Sequence, residues 1–129
     1  MEDIDFSDEF CEFIQTSVPT VHASEMLLLL RSRPQDWWDP PDVVQRMRAA
    51  GMAEPEAARQ LELLQARGLL AVGPDKRVQY RPADERTAAL VEKLAQAYSE
   101  RPVTLFRVIY ALRDVRVRSF AEAFRLRRK

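Results

Sequence analysis

Apolar residues recur at helical spacing along most of the chain and at a spacing of two in one short stretch. From Ser7 to Gln15, Phe10, Phe13 and Ile14 share one helical face; Ser7 is placed to cap, and Asp8 and Glu9 suit the first turn. Pro19 in "TSVPTV" breaks that helix. The next is predicted to start at Ser24 with "SEMLLLLRSR" and to stop before Pro34. Four consecutive leucines cover more than one face, so this helix belongs at the centre of the core. After the loop "PQDWWDPP", Asp39 reads as an N-cap with Pro40 at the first helical position. That helix presents Val43, Val44 and Met47 inward and stops at Gly51. A further helix, from about Pro55 to Arg67, carries Ala57, Leu61 and Leu64 along one stripe and ends at Gly68.

The period then changes to two. Leu70 and Val72, and after "GPDK" Val78 and Tyr80, alternate with other residues and predict a hairpin, with Arg77, Gln79 and Arg81 on its polar side. Helical spacing returns after Asp84, where Thr87, Val91, Leu94 and Tyr98 form a line. The stretch "PVTLFRVIYALRD" is apolar nearly all round, which predicts a helix covered on both sides, by the core or by a second subunit. A last helix, from about Ser119 to Arg128, puts Phe120, Ala123 and Phe124 on one side.

The composition, 47% apolar and 31% charged over 129 residues, suits one globular domain with a real core. The longest apolar run, Met26 to Leu30, is too short for a bilayer. The N-terminus lacks the order of a signal peptide. A single cysteine, Cys11, allows no internal disulfide, so the expected compartment is the cytoplasm. Net charge is zero but unevenly placed. Residues 1–65 hold thirteen acids against five bases, and residues 66–129 seven acids against fifteen bases. The ends are extreme: "MEDIDFSDEFCE" has no base and "RLRRK" no acid. Such asymmetry signals interaction, either of the two ends with each other, within a chain or across a dimer, or of the basic end with nucleic acid.

Three helices and a hairpin in this order and at these lengths resemble a winged helix-turn-helix, over about Val21 to Pro82. The most specific part is "ARQLELLQARGLLAV" leading into "VQYRP": Leu61, Leu64, Gly68, Leu69 and Leu70 match the leucine–x–x–leucine, glycine and strand pattern of such folds. The tail "RPVTLFRVIYALRDVRVRSFAEAFRLRRK" is similar to that of a family of small bacterial winged-helix proteins and brings no function of its own. The expected fold is therefore mainly α, a three-helix core plus a two-stranded wing with extra N- and C-terminal helices. Its divisions are an acidic segment at 1–20, a winged-helix domain at 21–83 and C-terminal helices at 84–129.

The resemblance implies a transcriptional regulator that binds double-stranded DNA, as a homodimer. The helix at 55–67 would enter the major groove with Glu56, Arg59 and Gln60, Arg59 reading guanine and Gln60 adenine. The wing at 73–81 would set Lys76, Arg77 and Arg81 against phosphates. Phe106, Ile109, Tyr110, Phe120 and Phe124 would form the dimer interface. Against this, Glu54, Glu56 and Glu62 accompany one arginine before the last turn of the reading helix, Arg59. DNA affinity rests mostly on phosphate neutralisation, and the bases for it lie in the wing and the C-terminal third. The alternative is a protein-interaction adaptor on the same scaffold, whose acidic N-terminus and acidic third helix bind a basic partner. In a hybrid, "MEDIDFSDEFCEF" acts as an autoinhibitory flap over the basic surface.

Other chemistry finds little footing. Three glycines form no phosphate loop, and no metal-ligand spacing is present. His22 is alone, and no serine or cysteine has a base partner, so no catalytic residue, cofactor or metal is expected. Cys11 beside Phe10 and Phe13 reads as a small apolar residue. Trp37 and Trp38 are either an aromatic anchor or, more simply, one core residue and one loop cover. "RLRRK" suits phosphates or the negative end of a helix dipole.

Overall fold

A computed structural model describes residues 6–113. Seven elements in chain order are α1 (Asp8–Ser17), α2 (Val21–Ser32), α3 (Pro40–Ala49), α4 (Glu54–Ala66), β1 (Leu70–Val72), β2 (Val78–Tyr80) and α5 (Glu85–Glu100). An eighth, α6, is helical over 102–113. The fold is mainly helical with a small two-stranded antiparallel sheet. The expected helix near Ser119 lies outside the described residues, as does "RLRRK".

The local signals mostly act where expected. Ser7 caps α1, its hydroxyl accepting from the Phe10 amide at 3.2 Å. Asp84 caps α5, accepting from the Thr87 amide at 2.8 Å, and this hydrogen bond holds the Asp84 carboxyl below its usual range. Gly51 (φ 107°) and Gly68 (φ 78°) take the left-handed conformation that ends α3 and α4. Beyond Gly51 the Met52 amide returns to the Met47 carbonyl at 2.9 Å, and beyond Gly68 the Leu69 amide to that of Leu64 at 3.0 Å.

Two expectations fail for local reasons. Ser24 does not start α2. Thr20 does, accepting from the Ala23 amide at 2.9 Å, and Ser24 is a buried residue one turn in. Asp39 is at the N-cap of α3 but makes no side-chain cap bond. Its carboxylate instead accepts from Arg77 Nε at 3.3 Å.

One apolar cluster joins every helix to the hairpin. Met26, Leu27 and Leu30 of α2 are fully buried, with Leu28 and Leu29 half-buried beside them, as four adjacent leucines require. Phe10 and Ile14 of α1, Val43 of α3, Leu64 of α4, Leu94 of α5, and Leu105 and Ile109 of α6 are equally enclosed. Burying one such side chain contributes about 1.5–3 kcal/mol. Phe10 and Ile14 make α1 part of the core, so lifting α1 would expose both residues.

The hairpin pairs Leu70 with Tyr80, Ala71 with Gln79 and Val72 with Val78. Its alternation is imperfect. Gln79, expected on the polar side, is buried, donating to the Gln35 carbonyl at 3.2 Å and accepting from Arg81 Nη2 at 2.6 Å. Val72 is 53% exposed. Trp38 extends the sheet by one bridge, its amide donating to the Val78 carbonyl at 2.8 Å and its carbonyl accepting from the Val78 amide at 2.9 Å.

Candidate nucleic-acid interface

α3 and α4 are joined by the turn at Gly51, which packs them closely. α4 buries Ala57, Leu61 and Leu64, and turns its other side outward. The hairpin that follows places its connection on that same side. An open groove of about 780 Å³ results, floored by Val44 and Leu61 and rimmed by Arg48, Glu62, Val72 and Lys76.

The six residues expected to meet DNA fall into three groups. Arg59 and Lys76 are exposed, and no carboxylate among the described residues pairs with either. Lys76 forms the tip of the hairpin in the left-handed region (φ 69°), its amide donating to the Gly73 carbonyl at 2.9 Å. It lines the groove with Glu62; Arg59 is not among the lining residues.

Arg77 and Arg81 are exposed but already engaged. Arg77 Nε lies 3.3 Å from Asp39 and 3.5 Å from Asp75. Arg81 bonds Gln79 and lies 6.0 Å above the Trp37 ring. Each braces the base or the turn of the hairpin. Glu56 is half-buried.

Gln60 corrects the expectation of an exposed reader. It is 6% exposed, and its Nε2 donates to the Ser17 carbonyl at 2.8 Å. Four residues before Leu64 and three after Ala57, it lies on the packed side of α4, where α1 closes over it.

The balance of charge around the groove is close to neutral. Arg48 approaches Glu54 at 4.0 Å, and Glu62 faces the same space as Lys76. Trp37 and Trp38 divide as the simpler expectation had it, one in the core and one over a loop. Trp38 bridges to β2, with the Arg46 guanidinium 5.3 Å from its ring. Trp37 lies under the hairpin connection: a methyl at Gly73 would come 3.1 Å from its Cζ3. The adjacent pair of tryptophans just before α3 was the available signal, and it marks the support of the hairpin.

The residues expected at a dimer interface also divide. Ile109 is fully buried within its own chain, which overturns its assignment to an interface. Phe106 is half-buried against Tyr98, ring centroids 5.8 Å apart. Tyr110 is exposed, whereas Phe120 and Phe124 lie outside the described residues. No cluster of metal-ligating side chains occurs among the described residues, and none of their helices is long and apolar enough to cross a membrane.

Comparison with known proteins returns no match: no family model, no curated protein and no solved structure is significantly similar to the chain.

Proposed function

We propose that this chain is a DNA-binding transcriptional regulator of winged helix-turn-helix type that acts as a homodimer. The observation that carries the reading is the shared groove. The outer side of α4 and the tip of the hairpin border one open surface. In such folds a recognition helix and a wing straddle a duplex in this way. Arg59, exposed on α4 one residue from the groove-lining Ala58 but outside the groove itself, supplies base contact, and Lys76 supplies phosphate contact from the tip; Gln60 drops out of the reading set because it is buried. Arg77 and Arg81 hold the hairpin in place.

The experiment is binding of labelled genomic and random duplexes at low salt. Arg59→Ala should relax base preference, and Lys76→Ala should weaken binding to every sequence alike. Absence of binding by the unmodified chain at low ionic strength overturns the reading.

A second reading, a protein-interaction adaptor, is favoured by one specific observation. The groove is lined largely by apolar groups such as Pro40, Val44 and Val72, with acids and bases in balance. That lining suits a protein segment better than a phosphate backbone. A chain that retains no DNA but loses its partner on Val72→Glu would fit this reading.

A further inference from the structure

The side of α4 that borders the groove is not the side that carries Arg59. Ala58, Leu61, Glu62 and Gln65 all line the groove. Positions 58, 62 and 65 follow the four-and-three spacing that keeps side chains on one helical face. Arg59 stands about 100° round the helix from Ala58 and lies outside the groove. Glu54, at the start of the same face, approaches Arg48 at 4.0 Å. Glu62 is exposed and in no ion pair among the described residues. Gln65 is half-buried, and its carboxamide makes no hydrogen bond among the described residues. The groove therefore holds one free carboxylate and one free carboxamide on the helix that faces it.

These two groups have distinct partners on base edges. A carboxylate can only accept, and it pairs with the N4 amino group of cytosine. A carboxamide donates and accepts, which matches N7 and N6 of adenine. At 1.5 Å of rise per residue, Glu62 and Gln65 are about 4.5 Å apart along α4. That is close to the step of about 3.4 Å between bases, so the two side chains address neighbouring pairs. An acid here lowers affinity for every duplex, and Lys76 on the same groove offsets part of that loss. What the acid adds is discrimination between bases.

We infer that Glu62 and Gln65 set base preference alongside Arg59, Glu62 selecting cytosine and Gln65 adenine on adjoining pairs. The acid on this helix is then a selector of sequence. The inference rests on the DNA-binding reading above.

The test is selection of duplexes from a random library by the full chain at low salt. The selected duplex and its single-pair variants are then titrated with the protein. The unmodified chain should select cytosine beside adenine, and replacing either pair should weaken binding about tenfold. Glu62→Gln turns an acceptor into a carboxamide and should move the preference at its position from cytosine to adenine. Gln65→Ala should abolish the adenine preference and keep that for cytosine. Neither side chain belongs to the buried cluster, so helical circular dichroism should be unchanged. A preference that neither substitution moves overturns the inference and leaves DNA binding standing. A rise in affinity for every duplex alike in Glu62→Gln also overturns it, because Glu62 would then only repel phosphate. Absence of binding by the unmodified chain at low ionic strength overturns the reading above and this inference together.

Discussion

Gln60 of α4 donates its side-chain amide to the main-chain carbonyl of Ser17 at the end of α1, at 2.8 Å and out of contact with solvent. This bond ties the candidate reading helix to the N-terminal helix. Gln60→Ala should leave a buried carbonyl without its donor, at a cost of about 1–3 kcal/mol. Urea unfolding measures the loss. Base preference of any DNA binding should stay unchanged, because the side chain does not face outward.

Trp37 and Gly73 make a second such constraint. A side chain at position 73 would meet the Trp37 ring and the Asp75 carboxylate, both at 3.1 Å. Gly73→Val should shift the ring by a few tenths of an ångström, at a small cost because the ring is 41% exposed. The accompanying change in tryptophan fluorescence reports the displacement; an unaltered spectrum would show that the ring does not support the turn.

Arg31 clasps Glu92 with two hydrogen bonds, at 2.6 and 2.8 Å, joining α2 to α5. The bond from Arg31 holds the Glu92 carboxyl below its ordinary range. A depressed folded value means the pair stabilises above the unfolded glutamate pKa, about 4.3. That stability is lost as pH falls through the lower folded value. Since both groups are partly solvated, its size should be below about 1 kcal/mol. Glu92→Gln should be less stable than the parent at neutral pH, and the two should converge in acid.

Tyr80 behaves in the opposite sense. Burial, then the negative charge of Glu92, pushes its phenol up to about 12. A raised tyrosine favours the neutral form, so its contribution is complete below the unfolded value of about 10 and is lost as pH rises towards the folded one. Burial and the bond to Glu25 raise the Tyr98 phenol as well, so an alkaline absorbance titration should show late ionisation, and Tyr80→Phe should remove one of the late phenols. Ionisation of all three tyrosines together near the ordinary value would contradict this placement.

Much of the fold was legible because its signals are local. Ser7, Asp84, Gly51 and Gly68 act within a turn of their own positions, and the spacing of Leu61 and Leu64 fixes the inner side of α4. What could not be read depends on residues far apart in the chain. Gln60 looks like an exposed reader until Ser17 comes within bonding distance of it. Gln79 follows a polar alternation until Gln35 and Arg81 satisfy its amide in the interior. Thr20 and Ser24 are equivalent as caps by type, and the packing of Val21 and Ala23 selects the earlier one. Arg77 reads as a phosphate contact because Asp39 is 38 residues away. At the candidate site the sequence therefore yielded the scaffold and the two unpaired bases, Arg59 and Lys76, but not the pairing that removes the others.

That pairing makes the salt dependence of duplex binding the most direct measurement. Of the two unpaired bases, Lys76 is the one set against phosphate, which corresponds to a slope of log affinity against log salt of about −1 per protomer. The account predicts measurable duplex binding at low ionic strength with that shallow slope, reduced by about one unit in Lys76→Ala. No binding at low ionic strength, or a slope that Arg59→Ala and Lys76→Ala together leave unchanged, would contradict it.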